Sequence, residues 1–327
     1  MTKLKWMLGV VCLGVIALAA CSKQSTNPTP APQASSSTPS PQSTPEAAKP
    51  PTSSKPKSKS SLSYKLETYR SELFGSDRTY GVVLPPGYEQ NLQARYPVVF
   101  LLHGGHGDPT SWYEKGDALP IIEGVFKSGK LPPSIIITPD GNDVRGSSAF
   151  WDPQYIDGKN GNVSSAIGDE LVQIIKSRYR TKEQPQFWAI GGLSSGGWGA
   201  LNVGLHHSQN FRTMFSHSGY FSDKSGVENS PIQFIQTMSP EQRKDIAIYI
   251  DAGEADGEYL TETEAFHQVL TQLQVENEFN VFPGGHGTHG NLVGWGFWRR
   301  HLADSLSFVG KQFQSATVAE NAPAKAQ

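Results

Sequence analysis

Continuous apolar runs of strand length recur along the chain, each ending in a cluster of glycine and polar residues, and amphipathic stretches separate several of them. Tyr64 to Arg70 and Arg78 to Leu84 read as two strands joined through Gly75-Ser76-Asp77, a hairpin that Pro85-Pro86-Gly87-Tyr88 ends. Tyr96 to Leu102, Ser134 to Thr138, Phe187 to Ile190, Phe211 to Phe215, Ile246 to Ile250 and Phe279 to Phe282 read as further strands. Between them, Ala166 to Tyr179 puts Ile167, Leu171, Ile174 and Ile175 on one helical face. Leu201 to His206, Phe266 to Leu273 and Phe297 to Phe313 also read as helices. Strands alternating with helices predict an α/β domain, with a mostly parallel sheet of about eight strands covered by helices on both faces.

In such sheets ligands bind at the carboxyl ends of the strands. The polar, glycine-rich clusters fall at that end of their strands: residues 103–107, 139–143, 192–197, 251–256 and 283–289. Their convergence locates a site before any single residue does.

The front of the chain has a different pattern. Residues 1–20 carry Lys3 and Lys5 and then a short apolar run, the form of a signal peptide. The run ends Leu18-Ala19-Ala20-Cys21, which resembles the bacterial lipobox, in which the cysteine is lipidated. Residues 21–61 are rich in Ser, Thr, Gln and Lys, with nine prolines between Ser22 and Ser61 and almost no large apolar residue. They cannot bury enough surface to offset ordering, so a disordered tether is expected. At about 3.1 Å per extended residue it reaches on the order of 100 Å from a membrane. Lys49, Lys55, Lys57 and Lys59 read as solvated charges. One folded domain is expected over 62–313, and a disordered polar tail over 314–327.

Cys12 leaves with the leader and Cys21 takes the lipid, so the domain has neither a disulfide nor a thiol nucleophile. A net charge of −2 and no basic aromatic patch exclude a nucleic-acid partner. These features place the protein in the bacterial cell envelope, extracytoplasmic and lipid-anchored to a membrane through Cys21.

The strongest single motif is Gly192-Leu193-Ser194-Ser195-Gly196, set between the strand at 187–190 and the following helix. Strand, sharp turn, serine and helix make a nucleophile elbow of G-x-S-x-G. Centring it on Ser195 would need a glycine at Leu193, so the spacing selects Ser194. Glycines are required because side chains two positions either side of so tight a turn would collide. The start of the next helix offers unpaired N–H groups, which places the Ser195 amide to receive an oxyanion.

A serine nucleophile needs a base, and the base needs an orienting carboxylate. After the strand at 246–250 the chain offers Asp251, Glu254 and Asp256, and after the strand at 279–282 it offers His286 and His289. A metal site built from His103-x-x-His106 and His286-x-x-His289 is the competing chemistry. Those histidines sit on glycine-rich loops without an accompanying carboxylate, which disfavours it. No metal and no cofactor is expected. Trp112, Trp151, Tyr155 and Trp198 lie near the site loops, either as stacking surfaces for a sugar or aromatic acyl group or as core packing.

The domain resembles the esterase D and feruloyl esterase-like family of α/β-hydrolases. The residues that carry the resemblance are Leu84-Pro85-Pro86-Gly87-Tyr88, Leu101-Leu102-His103-Gly104-Gly105, Pro139-Asp140-Gly141, Glu170-Leu171, Gly192 to Gly197, Ser218-Gly219, Gly253 to Asp256 and Pro283-Gly284-Gly285-His286. The resemblance implies Ser194 as nucleophile, Asp256 as acid and His286 as base, with the amides of Gly105 and Ser195 as oxyanion donors. The family usually has a shorter segment between its histidine and the tryptophan that opens the last helix, which keeps His289 as the alternative base. The implied activity is serine ester hydrolysis through an acyl-enzyme, on a small-molecule or carbohydrate ester. Acyl transfer to a sugar or lipid acceptor, or a binding module without catalysis, are the other readings.

Overall fold

The computed structural model of the protein describes residues 60–148, 154–287 and 292–322. The leader, Cys21, the linker through residue 59, Trp151, His289 and residues 323–327 lie outside the described residues. Eight strands build one sheet: β1 Tyr64–Ser71, β2 Ser76–Val83, β3 Val98–Leu102, β4 Ile135–Pro139, β5 Trp188–Leu193, β6 Thr213–His217, β7 Ala247–Gly253 and β8 Glu276–Phe282. Their order across it is β1-β2-β4-β3-β5-β6-β7-β8. β1 and β2 form an antiparallel hairpin and β2 runs antiparallel to β4, while every later neighbour pair is parallel.

Every residue of β3, β4, β5, β6 and β7 is buried. That is why these strands read as unbroken apolar runs: a parallel sheet covered on both faces has no polar side to alternate with. The edge strands β1 and β8 are instead mostly exposed or half-buried, with only Tyr69 and Ser71 buried in β1.

Five helices cover the sheet: α1 Ala118–Lys127, α2 Leu171–Arg178, α3 Ser195–His206, α4 Glu258–Gln272 and α5 Trp295–Asn321. Successive strand residues point to opposite faces, and β6 shows which helix lies where. Its Ser216 faces Gly197 of α3, and the next residue, His217, reaches Ser305 of α5. The two helices that flank the sheet's centre therefore lie on opposite faces. The helical stretch expected from Ala166 is present, but it opens with one α turn and a wider π turn over Ala166–Glu170 before α2.

One helix was missed and two expectations need correction. Helix α1 was not legible, because Pro120 and Gly124 interrupt its pattern. Pro120 sits in the first turn, where no amide is needed, and Ile122, Val125 and Phe126 still bury one face. Residues 314–321, expected as tail, continue α5 to Asn321. No glycine or proline stops the helix there, Ala316 packs against the core, and Lys182 pairs with Glu320 at 2.6 Å. Ser60 and Ser61, assigned to the linker, donate to Glu123 of α1, Ser60 Oγ at 3.0 Å.

Gly310 of α5 crosses the turn after α1 so closely that an added Cβ would stand 1.8 Å from the Lys130 carbonyl oxygen. Gly310→Ala is therefore expected to lower stability by about 1–3 kcal/mol, although alanine favours helix over glycine. The fall in the urea-unfolding midpoint measures it.

Candidate active site

Ser194 stands alone between the end of β5 and the start of α3, at φ 53°, ψ −126°. An L-residue held there stores on the order of 1–3 kcal/mol. The surroundings over-determine the turn. The Ser194 amide donates to the His217 carbonyl at 2.9 Å, and its own carbonyl accepts from Gly197 at 2.8 Å and Trp198 at 3.1 Å. A Cβ on Gly192 would lie 2.3 Å from the Gly196 carbonyl oxygen, and one on Gly196 would lie 2.3 Å from that of His103. The glycines two positions either side of Ser194 are thus demanded by backbone packed on backbone. The neighbouring Ser195 side chain is fully buried, and its hydroxyl has no partner among the described residues.

His286 Nε2 lies 3.0 Å from Ser194 Oγ, and His286 Nδ1 lies 2.8 Å from Asp256 Oδ1. The His286 amide also donates to Asp256 Oδ1. Asp256 Oδ2 accepts from the Ser218 hydroxyl at 2.7 Å and the Gly253 amide at 2.6 Å. Burial pushes the Asp256 carboxyl upward, but the bonds from the His286 ring and amide, Gly253 and Ser218 outweigh it and hold it below the usual carboxylate range. Of the three candidate acids, one within β7 and two after it, Asp256 meets the histidine. Asp251 points away to His217, and Glu254 is exposed. Gly285, beside His286, has no room for a side chain, since a Cβ would sit 2.5 Å from Asp256 Oδ1.

The residues flanking the longer segment between His286 and α5 meet each other. Gly285 donates to the Leu292 carbonyl at 3.1 Å, and Gly294 donates to that of Gly285 at 2.8 Å. The His286 ring is held between two aromatics that the sequence did not mark. Tyr259 stacks on it at 4.0 Å, and Trp298 meets it edge-on at 5.1 Å. Ser218 was likewise missed as a partner of the acid. Ser218-Gly219 carried part of the family resemblance without a role, and what marks the position in the structure is conformational, a non-glycine residue at φ 50°.

The loop after β3 is fixed carbonyl by carbonyl. Trp112 Nε1 donates to Leu102 O at 3.0 Å, Tyr155 Oη donates to His103 O at 2.7 Å, and His103 Nδ1 donates to Gly104 O at 2.9 Å. His103 Nε2 accepts from the Gly141 amide at 3.0 Å. Both ring nitrogens are therefore spent on backbone, which requires the neutral Nδ1–H form. Burial pushes the His103 pKa down and favours that form. Among the described residues, the amides of Gly105 and Ser195 donate to no protein acceptor. They are the donors available to a developing oxyanion.

Trp112, Tyr155 and Trp198 resolve as core rather than stacking surface: all three are buried, and Trp198 Nε1 donates to the Asn229 carbonyl at 2.9 Å. The aromatic wall comes from α5 instead. A cavity of about 210 Å³ opens at Ser194 between the Gly104–Gly107 loop, Lys115, Trp295 and Trp298.

Residues 71–309 match the pattern of the family described as Putative esterase. The chain is 31% identical over 184 residues to an endo-1,4-beta-xylanase/feruloyl esterase of Xylanibacter ruminicola, covering 54% of this chain and 22% of that protein. It is 22% identical over 249 residues to an uncharacterized protein of Corynebacterium glutamicum, covering 70% of this chain and 56% of that one. The chain thus spans less than two thirds of the length of either relative. Among solved structures, a ferulic acid esterase superposes with a TM-score of 0.69 at 28% identity, covering 77% of this chain and 99% of that one. An S-formylglutathione hydrolase from Staphylococcus aureus superposes with a TM-score of 0.60 at 18% identity, covering 76% and 99%, a likeness of fold alone. The architecture is that of the α/β-hydrolases.

The buried, neutral His103 generates a pH dependence of stability. The unfolded chain takes up a proton as pH drops through about 6.5, while the folded imidazole, with its lowered pKa, resists it. Stability is therefore full above that pH and falls on acidification toward the lowered value. His207, also lowered by burial, adds to the slope. Unfolding free energies measured between about pH 7.5 and pH 5.5 are expected to fall in the native protein and to fall less steeply in His103→Gln.

Proposed function

We propose a reaction from one premise: this chain belongs to the Putative esterase family. The protein is a serine ester hydrolase that works through Ser194, His286 and Asp256. The observation that carries the reading is the continuous line from Ser194 Oγ through the His286 ring to a buried Asp256, at 3.0 and 2.8 Å.

In this mechanism His286 Nε2 takes the Ser194 proton as Oγ attacks the ester carbonyl, and then returns it to the departing alcohol. Asp256 holds the imidazole with Nδ1–H toward itself, which leaves Nε2 as acceptor, and it stabilises the imidazolium that forms. The Gly105 and Ser195 amides hold the oxyanion. Water, activated by the same imidazole, resolves the acyl-enzyme. Tyr259, flat against the ring, and the hydrogen bond from the His286 amide to Asp256 restrict the base to one orientation.

The acyl group is an aromatic hydroxycinnamate, a reading supported by the feruloyl and ferulic acid esterases among the relatives and by the Trp295–Trp298 wall beside Ser194. The domain acts outside the cytoplasm of a bacterial cell, tethered through lipid on Cys21. The leader pattern and the cysteine that ends it support this part of the reading.

Ser194→Ala is expected to abolish hydrolysis of p-nitrophenyl acetate and methyl ferulate with an unchanged thermal midpoint; retained turnover would sink the assignment. His286→Ala should lower kcat by about three orders of magnitude or more, while His289→Ala stays within a few-fold. The reverse result would move the base. Cys21→Ser should lose incorporation of labelled palmitate and shift the protein from the membrane fraction to the soluble one.

A further inference from the structure

Beneath the site lies a second serine, histidine and aspartate in line. His217 Nδ1 is 2.7 Å from Asp251 Oδ2, and His217 Nε2 is 2.9 Å from Ser305 Oγ. Tyr249 Oη donates to the same Asp251 oxygen at 3.0 Å. The His217 and Asp251 side chains are 0% exposed, and Ser305 and Tyr249 are equally buried, so no ester reaches them. Burying such a group is costly, and here one carboxylate oxygen, Asp251 Oδ1, has no hydrogen-bond partner among the described residues. Apolar side chains would fill the same space more cheaply. The arrangement does something that packing alone would not.

What it holds is visible in the backbone. His217 ends β6, and Asp251 faces it in register on β7, which puts both side chains on one face. Ser305 clamps the pair from α5. The His217 carbonyl accepts the Ser194 amide at 2.9 Å, so the nucleophile hangs from this residue. The Asp251 carbonyl accepts the Ser218 amide at 2.8 Å, and Ser218 Oγ donates to Asp256. Gly253, two residues beyond Asp251, donates to the same Asp256 oxygen. Nucleophile and acid are therefore suspended from two adjacent strand ends, and the buried imidazole–carboxylate bond links those ends beneath the Ser218–Asp256 bond.

We infer that His217, Asp251 and Ser305 are positioning residues for the reaction: their buried hydrogen bonds hold the strand ends that carry Ser194 and Asp256 in one fixed relation. The inference rests on the reaction proposed above. Loosening the link displaces the nucleophile from the base without touching the substrate. Misplacement on the order of 1 Å costs up to about a hundredfold in rate.

The test compares Asp251→Ala, Asp251→Asn and Ser305→Ala with the native protein, using kcat per active site titrated with a fluorophosphonate. Asp251→Ala and Ser305→Ala are expected to lose about ten- to a hundredfold in kcat, with KM changed by no more than about twofold. Asp251→Asn, which keeps an acceptor for His217 Nδ1–H, should retain most of kcat. If Asp251→Ala does not fold, Ser305→Ala decides. Variants with a lowered thermal midpoint but native kcat per titrated site would overturn the inference, because that is the signature of a merely structural cluster. A native protein that neither labels nor hydrolyses esters would instead overturn the proposed reaction, and this is seen before any variant is made.

Discussion

One buried carboxylate sets the geometry of the whole site. Asp256 accepts four hydrogen bonds, from the His286 ring, the His286 amide, the Ser218 hydroxyl and the Gly253 amide. Those donors come from three separate connections at the carboxyl ends of β6, β7 and β8. A charge taken out of water tolerates little freedom in its partners, so the carboxylate draws three loops to one point. His286 itself lies outside the helices and strands. Its amide and its ring are both tied to the same oxygen.

The strained turn at Ser194 works in the opposite sense. Asp256 gathers loops by attraction, whereas the elbow is enforced by exclusion, through glycine backbone pressed on the carbonyls of Gly196 and His103. The two devices share a frame: His217 O receives the Ser194 amide, and the neighbouring Asp251 O receives that of Ser218. The third part, the loop after β3, is governed by donors from Trp112, Tyr155 and His103 to three successive carbonyls. With their carbonyls claimed, the peptides of that loop have little freedom to turn, and the Gly105 amide is left without an acceptor among the described residues.

Local signals were legible and long-range ones were not. The elbow could be read because strand, glycines, serine and helix are consecutive in the chain. The buried strands could be read because burial on both faces leaves an unbroken apolar run. By contrast, Asp251 and Asp256 lie five residues apart, one in β7 and one just past it, and only the fold sends one to His217 and the other to His286. The family resemblance favoured Asp256 where residue chemistry left three acids open. Trp112 and Tyr155 looked equally suited to touch a ligand or to pack, and what decides is a hydrogen bond to a distant carbonyl. Helix α1 was hidden by Pro120 and Gly124, whose tolerance depends on their place within the helix. The extension of α5 depends on Ala316 and Glu320 finding partners far away in sequence.

Helix α5 has 27 residues, about 40 Å at 1.5 Å per residue. Its first turn supplies Trp295 and Trp298 to the site, and Ser305 reaches beneath it. All eight strands and the nucleophile precede this helix in the chain. During synthesis the ribosome therefore completes the sheet before it releases the wall of the cleft and the clamp below it. The nascent chain carries its nucleophile without a finished cavity, so the order of residues itself delays competence until α5 has been added. The centre proposed to cleave esters is thus held silent by chain order alone until the helix that walls its cleft has been made.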